Sequence, residues 1–290
     1  MLGHVAALSA SALWAIASIL FTRLRTSFSA PALNVLKTGI ACAMMLVTLL
    51  VLNGRLWPTS MSNSETAWLA LSGIIGLTIG DTLLFEALSR IGPRRSLLFM
   101  TLAPPITALI AWPVLDEPVT VMMAVGIVVT IVGVAMVIGD RSGEDVASVS
   151  MVGYLFAIGS AICQATGNIA TKLGGAHDPL EMSIVRTAFG ALTLIIYLSF
   201  RFKISEELAP AKSWSVLKTV IIATILGTYL GIWLQVTGLR FAPAGIAATL
   251  SSTSPIFVLP LAAIFLGDTI RARTVVAALI AVIGIALLFL

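Results

Sequence analysis

Residues 72–88 read SGIIGLTIGDTLLFEAL, and residues 223–239 read ATILGTYLGIWLQVTGL. Both stretches are largely apolar, and each contains two glycines four positions apart, at 76 and 80 in the first and at 227 and 231 in the second. A shift of 150 or 151 positions aligns these glycines and matches further residues along the whole half: Gly3 with Gly153, Pro104 with Pro255, Leu115 with Leu266 and Gly133 with Gly284. The second half of the chain is therefore predicted to be a structural copy of the first.

The composition of the 290-residue chain is that of an integral membrane protein. Apolar residues make up 59% of it, charged residues only 10%, and the mean hydropathy is +1.07. A water-soluble globule of this length would need far more polar surface. A helix needs about 20 residues to cross a bilayer. The apolar runs predict an all-α integral membrane fold of ten transmembrane helices: residues 3–22, 31–52, 66–88, 96–115, 119–139, 151–171, 179–200, 217–239, 244–266 and 274–290.

The ten predicted helices divide into two sets of five. Residues 1–139 form the first five-helix repeat, residues 140–150 the connecting loop, and residues 151–290 the second five-helix repeat. Because five is an odd number of crossings, the two repeats must be inverted relative to each other, with a quasi-two-fold axis in the membrane plane. Many secondary transporters have this architecture and bind their substrate near the midplane between the repeats. The duplication therefore predicts a transporter.

Lysine and arginine are unevenly distributed between the two sides of the predicted bundle. Twelve lie in loops on one side and three in loops on the other, while Lys37 and Arg186 lie within helices. Since short cytoplasmic loops concentrate these residues, the twelve-cation side should be cytoplasmic and both termini should lie outside. Cations that orient the helices in this way also explain the calculated pI of about 9.4, so no nucleic-acid partner is predicted. We predict a multi-pass protein of the cell (inner) membrane, surrounded by the lipid bilayer.

Glycines, prolines and acidic residues recur in the same order in both halves. The motifs are Gly76, Gly80 and Ala87, then Leu102-Ala103-Pro104 and Leu115-Asp116-Glu117, then Gly126 and Gly133, and in the second half Gly227 and Gly231, Thr253-Ser254-Pro255, Leu266-Gly267-Asp268 and Gly284. On these residues the chain resembles the EamA family of the drug/metabolite transporter superfamily over essentially its whole length. The resemblance implies a ten-helix transporter that commonly exports small metabolites. It also implies a central cavity chiefly between helices 3, 4, 8 and 9, with contributions from helices 1 and 6.

Asp81 is the only carboxylate that lies well inside a predicted helix. An ionised acid at the bilayer centre costs about 2.5–3.5 kcal/mol on insertion scales, so it should face a polar cavity, be paired or be protonated. Asp81 is a candidate ligand for a substrate amine or a candidate proton-coupling site. The alternative is a carboxyl that only holds neighbouring helices together through hydrogen bonds. Glu86 precedes Arg90 by four residues, which is the spacing of a structural ion pair on a helix.

Neutral polar residues form stripes on several helices. Helix 1 carries Trp14 and Ser18 four positions apart, and helix 6 carries Gln164 and Asn168 at the same spacing, which places each pair on one helical face. These stripes would line opposite walls of a pathway, although hydrogen bonding between helices alone also explains such residues. The predicted substrate-binding residues are Trp14, Ser18, Thr78, Asp81, Gln164, Asn168, Thr228, Tyr229, Gln235 and Ser252.

Lys37 and Arg186 occupy matching places near the start of helices 2 and 7. The family often has a basic residue here, so the resemblance implies an anion-binding or gating role. The alternative is that the two long side chains extend along the helices and place their charges at the lipid headgroups. Pro104 and Pro255 remove backbone donors and should bend or break helices 4 and 9, which creates either hinges near a midplane site or passive kinks. The predicted gating or coupling residues are Lys37, Asp81, Pro104, Arg186 and Pro255.

The sequence as a whole predicts a secondary active transporter that exports small metabolites by alternating access. A cavity lined by Trp, Tyr, Ser, Thr, Gln and Asn suits amino acids or related compounds. The expected partners are a small-molecule substrate and a proton as coupling ion, with no cofactor, metal site or catalytic residue. The alternatives are a membrane-embedded enzyme and a channel without carrier activity. For the enzyme, the sequence lacks a second intramembrane aspartate to share a proton with Asp81. No oligomeric state is predicted.

Overall fold

The computed structural model describes residues 1–138, 151–201, 204–266 and 272–287. The predicted connecting loop 140–150 and the acidic corner residue Asp268 lie outside the described residues. The regular structure within these ranges is helical, with no strand.

The described chain forms fourteen α-helices. They are α1 (Leu2–Leu24), α2 (Ala30–Asn53), α3 (Asn63–Ser72), α4 (Asp81–Met100), α5 (Ala103–Leu115), α6 (Val121–Ile138), α7 (Met151–Leu173), α8 (Pro179–Arg201), α9 (Ile204–Glu207), α10 (Trp214–Thr224), α11 (Gly231–Phe241), α12 (Ala244–Ser251), α13 (Ser254–Leu266) and α14 (Ala272–Leu287). Two π-helical segments, Gly73–Gly80 and Ile225–Leu230, join α3 to α4 and α10 to α11, and a 3-10 turn spans Ala209–Lys212.

Seven helical stretches of the described chain are long and apolar enough to cross a membrane. They are Leu2–Leu24, Ala30–Asn53, Asn63–Pro93, Arg95–Leu115, Pro179–Phe200, Trp214–Phe241 and Ala244–Phe265, and Val121–Gly133 is a shorter apolar helix. Helix α7 has 23 residues and is not among these seven stretches. The described helices make this a multi-pass, all-helical membrane protein, and they do not establish the predicted number of ten spans.

The two halves contact each other reciprocally. Helix α1 packs against α10, the second π segment and α11, and α7 packs in the same way against α3, the first π segment and α4. Helix α2 pairs with α8, α5 with α12 and α6 with α14. Gly3 and Gly153 permit close approaches at matching places, because a Cβ on Gly3 would lie 2.8 Å from the carbonyl carbon of Phe241 and one on Gly153 2.7 Å from Cγ2 of Ile91. Such reciprocal contacts are those of a two-fold relation.

The third helix of each half contains a wide turn. The π segments Gly73–Gly80 and Ile225–Leu230 lie at positions that the 151-residue shift matches. Hydrogen bonds in a π-helix run to the fifth residue, and such turns occur frequently at functional sites. The wide turn changes the angular position of every side chain that follows it. It therefore decides which residues of these helices face the centre.

Prolines mark the breaks in the fourth and ninth predicted helices. Helix α4 bends at Gly92, which has φ 74° and precedes Pro93, and so contains the end of the third predicted helix and the start of the fourth. The fourth helix is then interrupted between α4 and α5, with Pro104 in the first turn of α5, and the ninth between α12 and α13, with Pro255 in the first turn of α13. In the first turn of a helix the backbone N–H has no acceptor within the helix, so proline, which lacks this N–H, is tolerated there. Both helices are thus discontinuous where the sequence predicts a bend or break.

Candidate functional site

A central cavity lies between the two halves. It is walled by α1, α2, the first π segment, α4 and α5 from the first half, and by α7, the second π segment, α11, α12 and α13 from the second. The empty space between the lining residues, including the open solvent at the mouth, amounts to about 900 Å³. The larger apolar side chains of its wall are Phe21, Leu77, Leu84, Phe85, Leu88, Leu97, Met100 and Ile232.

Most of the predicted binding residues lie on this cavity. Those that line it are Trp14, Ser18, Asp81, Gln164, Asn168, Thr228, Gln235 and Ser252. Lys37, from the gating set, also lines it, whereas Arg186, Pro104 and Pro255 do not. The four-residue spacing of Trp14 with Ser18 and of Gln164 with Asn168 therefore puts both stripes on the cavity, and on opposite halves of the chain.

Thr78 and Tyr229 differ from the prediction, because each faces the second helix of the opposite half. The hydroxyl of Thr78 donates to the carbonyl oxygen of Gly190 on α8 at 3.0 Å, and that of Tyr229 is hydrogen-bonded to the hydroxyl of Thr48 on α2 at 2.8 Å. The two residues are repeat mates, and each lies inside a π segment. The wide turn rotates them away from the face that α-helical spacing predicts.

Lys37 and Asp81 form an ion pair at the edge of the cavity. The Nζ atom of Lys37 lies 2.5 Å from Oδ2 of Asp81, and the exposed fractions of the two side chains are 4% and 18%. The ammonium also lies 5.5 Å from the centre of the Phe85 ring, a cation–π distance. Lys37 therefore does not extend to the headgroups. It neutralises Asp81 from a different helix, α2.

Arg186 is fully buried and unpaired. Its exposed fraction is 0%, and none of its three guanidinium nitrogens has a hydrogen-bond partner. It does not extend to the headgroups either. The reason for its isolation is an asymmetry between the repeats, since the position that matches Asp81 is Ile232. No carboxylate of the described residues is hydrogen-bonded to the guanidinium.

Hydrogen bonds across the cavity join the two halves. The indole Nε1 of Trp14 donates to the carbonyl oxygen of Gly227 in the second π segment at 2.6 Å. A further bond lies within the second half, where the amide of Gln235 donates to Oδ1 of Asn168 at 3.1 Å. The two helix breaks also meet, because the hydroxyl of Ser252 donates to the carbonyl oxygen of Met100 at 3.4 Å. The polar wall of the cavity is thus partly committed to holding its helices together.

Asn34 supports the first π segment and was not among the predicted residues. Its Nδ2 donates to the carbonyl oxygen of Leu77 at 2.7 Å and to the hydroxyl of Thr82 at 2.9 Å. A carbonyl at the wide turn is thereby satisfied inside the membrane, where no bulk water is available. The signal in the sequence is an amide in an apolar helix, three positions before Lys37 and on the same face.

Ion pairs fix the helix ends around the cavity. The predicted pair is confirmed, since Nε of Arg90 lies 3.4 Å from Oε2 of Glu86, and Arg25 binds the other oxygen of Glu86 at 3.4 Å. Glu117 connects the halves, because it accepts from the backbone N–H of Ala244, the first residue of α12, at 2.6 Å and pairs with Lys172 at 3.2 Å. These ion pairs therefore hold helix ends together.

Comparison with known proteins agrees with this architecture. The profile of the EamA-like transporter family matches residues 1–139 and 151–290. The uncharacterized transporter YyaM of Bacillus subtilis (strain 168) is 25% identical over 250 residues, which cover 85% of this chain and 80% of that protein. A solved crystal structure of another protein is similar over 98% of this chain and 95% of its own length, with a TM-score of 0.76 and 17% sequence identity, a likeness that shows the fold alone.

Proposed function

Because this membrane transporter belongs to the EamA-like transporter family, we propose that it is a secondary active transporter that moves small metabolites by alternating access. The proposal includes ten transmembrane helices arranged as two inverted five-helix repeats, residues 1–139 and 151–290, joined by residues 140–150. The cell (inner) membrane is the proposed location, with both termini outside the cytoplasm. The protein is not an enzyme on this view.

The observation that carries the proposal is a cavity whose opposite walls belong to different halves. Trp14 from the first half and Gln164 and Asn168 from the second face the same space. Broken helices α4–α5 and α12–α13 meet beside it, through Ser252 and Met100. Rocking of one repeat against the other changes access to such a site without dismantling either half. Pro104 and Pro255, at these breaks, are the proposed hinges.

The lining supports amphipathic metabolites as substrates, with amino acids and related compounds the first class to examine. Phe21 and Phe85 present an aromatic surface, their ring centres 5.1 Å apart, while Gln164, Asn168 and Gln235 supply amide groups. Aromatic walls with a few polar groups are typical of small-molecule sites. We propose export as the physiological direction and the proton as the coupling ion.

Counterflow in proteoliposomes tests the transport function. Vesicles loaded with an unlabelled amino acid should accumulate the labelled compound transiently, because a carrier exchanges substrate across a closed barrier. A channel shows no such stimulation from the opposite side, and an enzyme releases a new product. Absence of counterflow across a broad amino-acid and metabolite panel, with correctly folded protein, would exclude the carrier.

A matched pair of glycine variants ties the activity to the cavity. A Cβ at Gly231 would lie 2.4 Å from Nε1 of Trp14, whereas one at Gly39 in α2 would meet no atom within 4 Å. Gly231→Ala should therefore displace the Trp14 ring and abolish counterflow, and Gly39→Ala should transport normally. Size-exclusion profiles of both proteins establish that folding is retained. Equal activity of the two variants would separate transport from this cavity.

A further inference from the structure

The membrane-embedded core around the cavity has a net charge of +1, because it contains two cationic side chains and one carboxylate. Among the described residues its charged side chains away from the helix ends are Lys37, Asp81 and Arg186. Lys37 and Asp81 neutralise each other at 2.5 Å. Arg186 is left with none of its guanidinium nitrogens hydrogen-bonded and none of its surface exposed. A buried charge without a partner destabilises a folded protein strongly, so its presence points to a ligand that completes it.

The guanidinium lies one side chain away from the cavity. A Cβ placed on Gly76 would be 3.6 Å from Nη2 of Arg186 and 3.5 Å from Oε1 of Gln164. Gln164 lines the cavity, and its side chain forms no hydrogen bond with the described residues. The bare backbone at Gly76 therefore leaves room for about one methyl group beside Arg186 and Gln164. The amide of Gln164 therefore borders both the cavity and the point next to Arg186.

The repeat indicates which chemical group is missing. In the first half the cation of α2 is paired by the carboxylate of Asp81, whereas the matching position in the second half is Ile232. A carboxylate brought by a ligand would restore the pairing that the second half lacks. Guanidinium and carboxylate form short, paired hydrogen bonds that exceed neutral ones in strength. The single unneutralised charge matches a ligand with one carboxylate better than a dianion.

We propose that Arg186 binds the carboxylate of the transported substrate, and that the substrate class is small monocarboxylates with an apolar or aromatic body. The body would lie in the central cavity beside Gln164, which lines it. An amine on the substrate is not required, because Asp81 is already paired with Lys37. This inference rests on the proposed transport function and specifies which group of the substrate that site recognises.

Matched ligands test the charge requirement on the purified full-length protein. The probes are 3-phenylpropionate, phenylalanine, 3-phenylpropionamide, phenethylamine and phenyl phosphate, each measured by its effect on thermal unfolding. We expect 3-phenylpropionate to raise the unfolding temperature most, and the amide and the amine to have no effect, since a ligand stabilises only the state that binds it. An equal shift from the amide, or no shift from either carboxylate, would overturn the inference. A larger shift from phenyl phosphate would replace carboxylate by phosphate as the recognised group and also overturn it.

Arg186→Met separates a ligand-binding role from a structural one. If the cation awaits a ligand, its removal should raise the unfolding temperature of the ligand-free protein, because a buried unpaired charge is replaced by an apolar side chain. The same variant should bind 3-phenylpropionate about tenfold to hundredfold more weakly, the usual loss for a charged hydrogen bond. A lower unfolding temperature of the ligand-free variant, or unchanged affinity, would contradict the proposal.

Gly76→Ala provides a second variant that leaves Arg186 in place. The added methyl group would lie at ordinary contact distance from Nη2 and Oε1, so the protein should fold, but the gap would be filled. Binding of 3-phenylpropionate should fall as in Arg186→Met, while Gly39→Ala should bind like the wild type. Normal binding by Gly76→Ala would rule out this route to Arg186. If counterflow occurs with a substrate that lacks an anionic group, the transport function stands and the carboxylate inference falls.

Discussion

The ammonium of Lys37 on α2 lies 2.5 Å from the carboxylate of Asp81 at the start of α4, inside the membrane-spanning part of the chain. The pair brings together residues 44 positions apart in sequence. It leaves the buried cation at the matching place of the second half, Arg186, without a carboxylate. The charges of the two halves are thus unequal although their helices correspond.

Replacing one member of this pair should destabilise the protein more than replacing both. Asp81→Leu leaves Lys37 as a buried cation, and breaking a buried pair costs about 3–5 kcal/mol, whereas apolar replacement of the whole pair is often neutral. We expect a loss near the lower end of that range, because Asp81 is 18% exposed. The Lys37→Met/Asp81→Leu double variant should unfold near the wild-type temperature. Additive losses would show that the two charges are not coupled.

Asp81→Asn tests whether this carboxylate couples transport to protons. The substitution keeps the size and hydrogen-bonding capacity of the side chain and removes its ability to ionise. Proton-driven accumulation should vanish, while counterflow exchange survives. Glu86→Gln is the control, because Glu86 lies outside the cavity and binds Arg25 and Arg90. Uptake that still follows the pH gradient in Asp81→Asn would assign coupling to another group.

Single cysteines should distinguish the cavity wall from the helix interfaces. In a background without Cys42 and Cys163, cysteines at Ser18, Asn168, Thr228 and Ser252 should react with a hydrophilic thiol reagent, and substrate should protect them. Cysteines at Thr78 and Tyr229 should react slowly, since both side chains pack against the opposite half. Similar rates at all six positions, measured by mass shift, would refute the described lining.

Gly73→Ala should weaken the contact between the third helix and α8. A Cβ at Gly73 would lie 2.1 Å from the carbonyl oxygen of Arg186, a backbone atom that cannot rotate aside. Overpacking of this kind costs about 1–3 kcal/mol, so the unfolding temperature should fall. Gly39→Ala adds the same methyl group where no atom lies within 4 Å and should cause no loss. Equal stability of the two variants would mean that the helices separate freely.

Loop cysteines should report the orientation in the membrane. Thr26 follows α1 on the side with twelve cations, and Leu56 follows α2 on the side with three. Since cations concentrate in cytoplasmic loops, Leu56→Cys should react with a membrane-impermeant reagent in intact cells, and Thr26→Cys only after permeabilisation. The reverse pattern would invert the proposed orientation and exchange import for export.

Much of the architecture follows from patterns that the sequence displays directly. The repeat of Gly76 and Gly80 at Gly227 and Gly231 predicts two similar halves, which the reciprocal packing reproduces. Helix breaks beside Pro104 and Pro255 follow from the missing N–H. Residues four positions apart in regular helices, such as Gln164 and Asn168, lie on one face and line the cavity together. Local rules suffice for all of these features.

Two features of the site depend on information that local patterns do not contain. The hydrogen bond of a π turn spans one residue more than that of an α turn, and no residue type marks it, so the facing direction of Thr78 and Tyr229 could not be read from α-helical spacing. The pairing of Lys37 with Asp81 depends on how α2 and α4 pack. Once that pair is known, the replacement of aspartate by Ile232 explains why Arg186 stands alone.

The matched π segments Gly73–Gly80 and Ile225–Leu230 also record the history of the chain. A wide turn is rare, and a single ancestor of both halves explains two of them at corresponding places more simply than separate origins. Asp81 and Ile232 diverged within this inherited frame. In a transporter made of two identical halves, the inward-open and outward-open states would be equal in energy by symmetry. A carboxylate in one half only removes that equality, and evolution could thereby set different affinities on the two sides of the membrane.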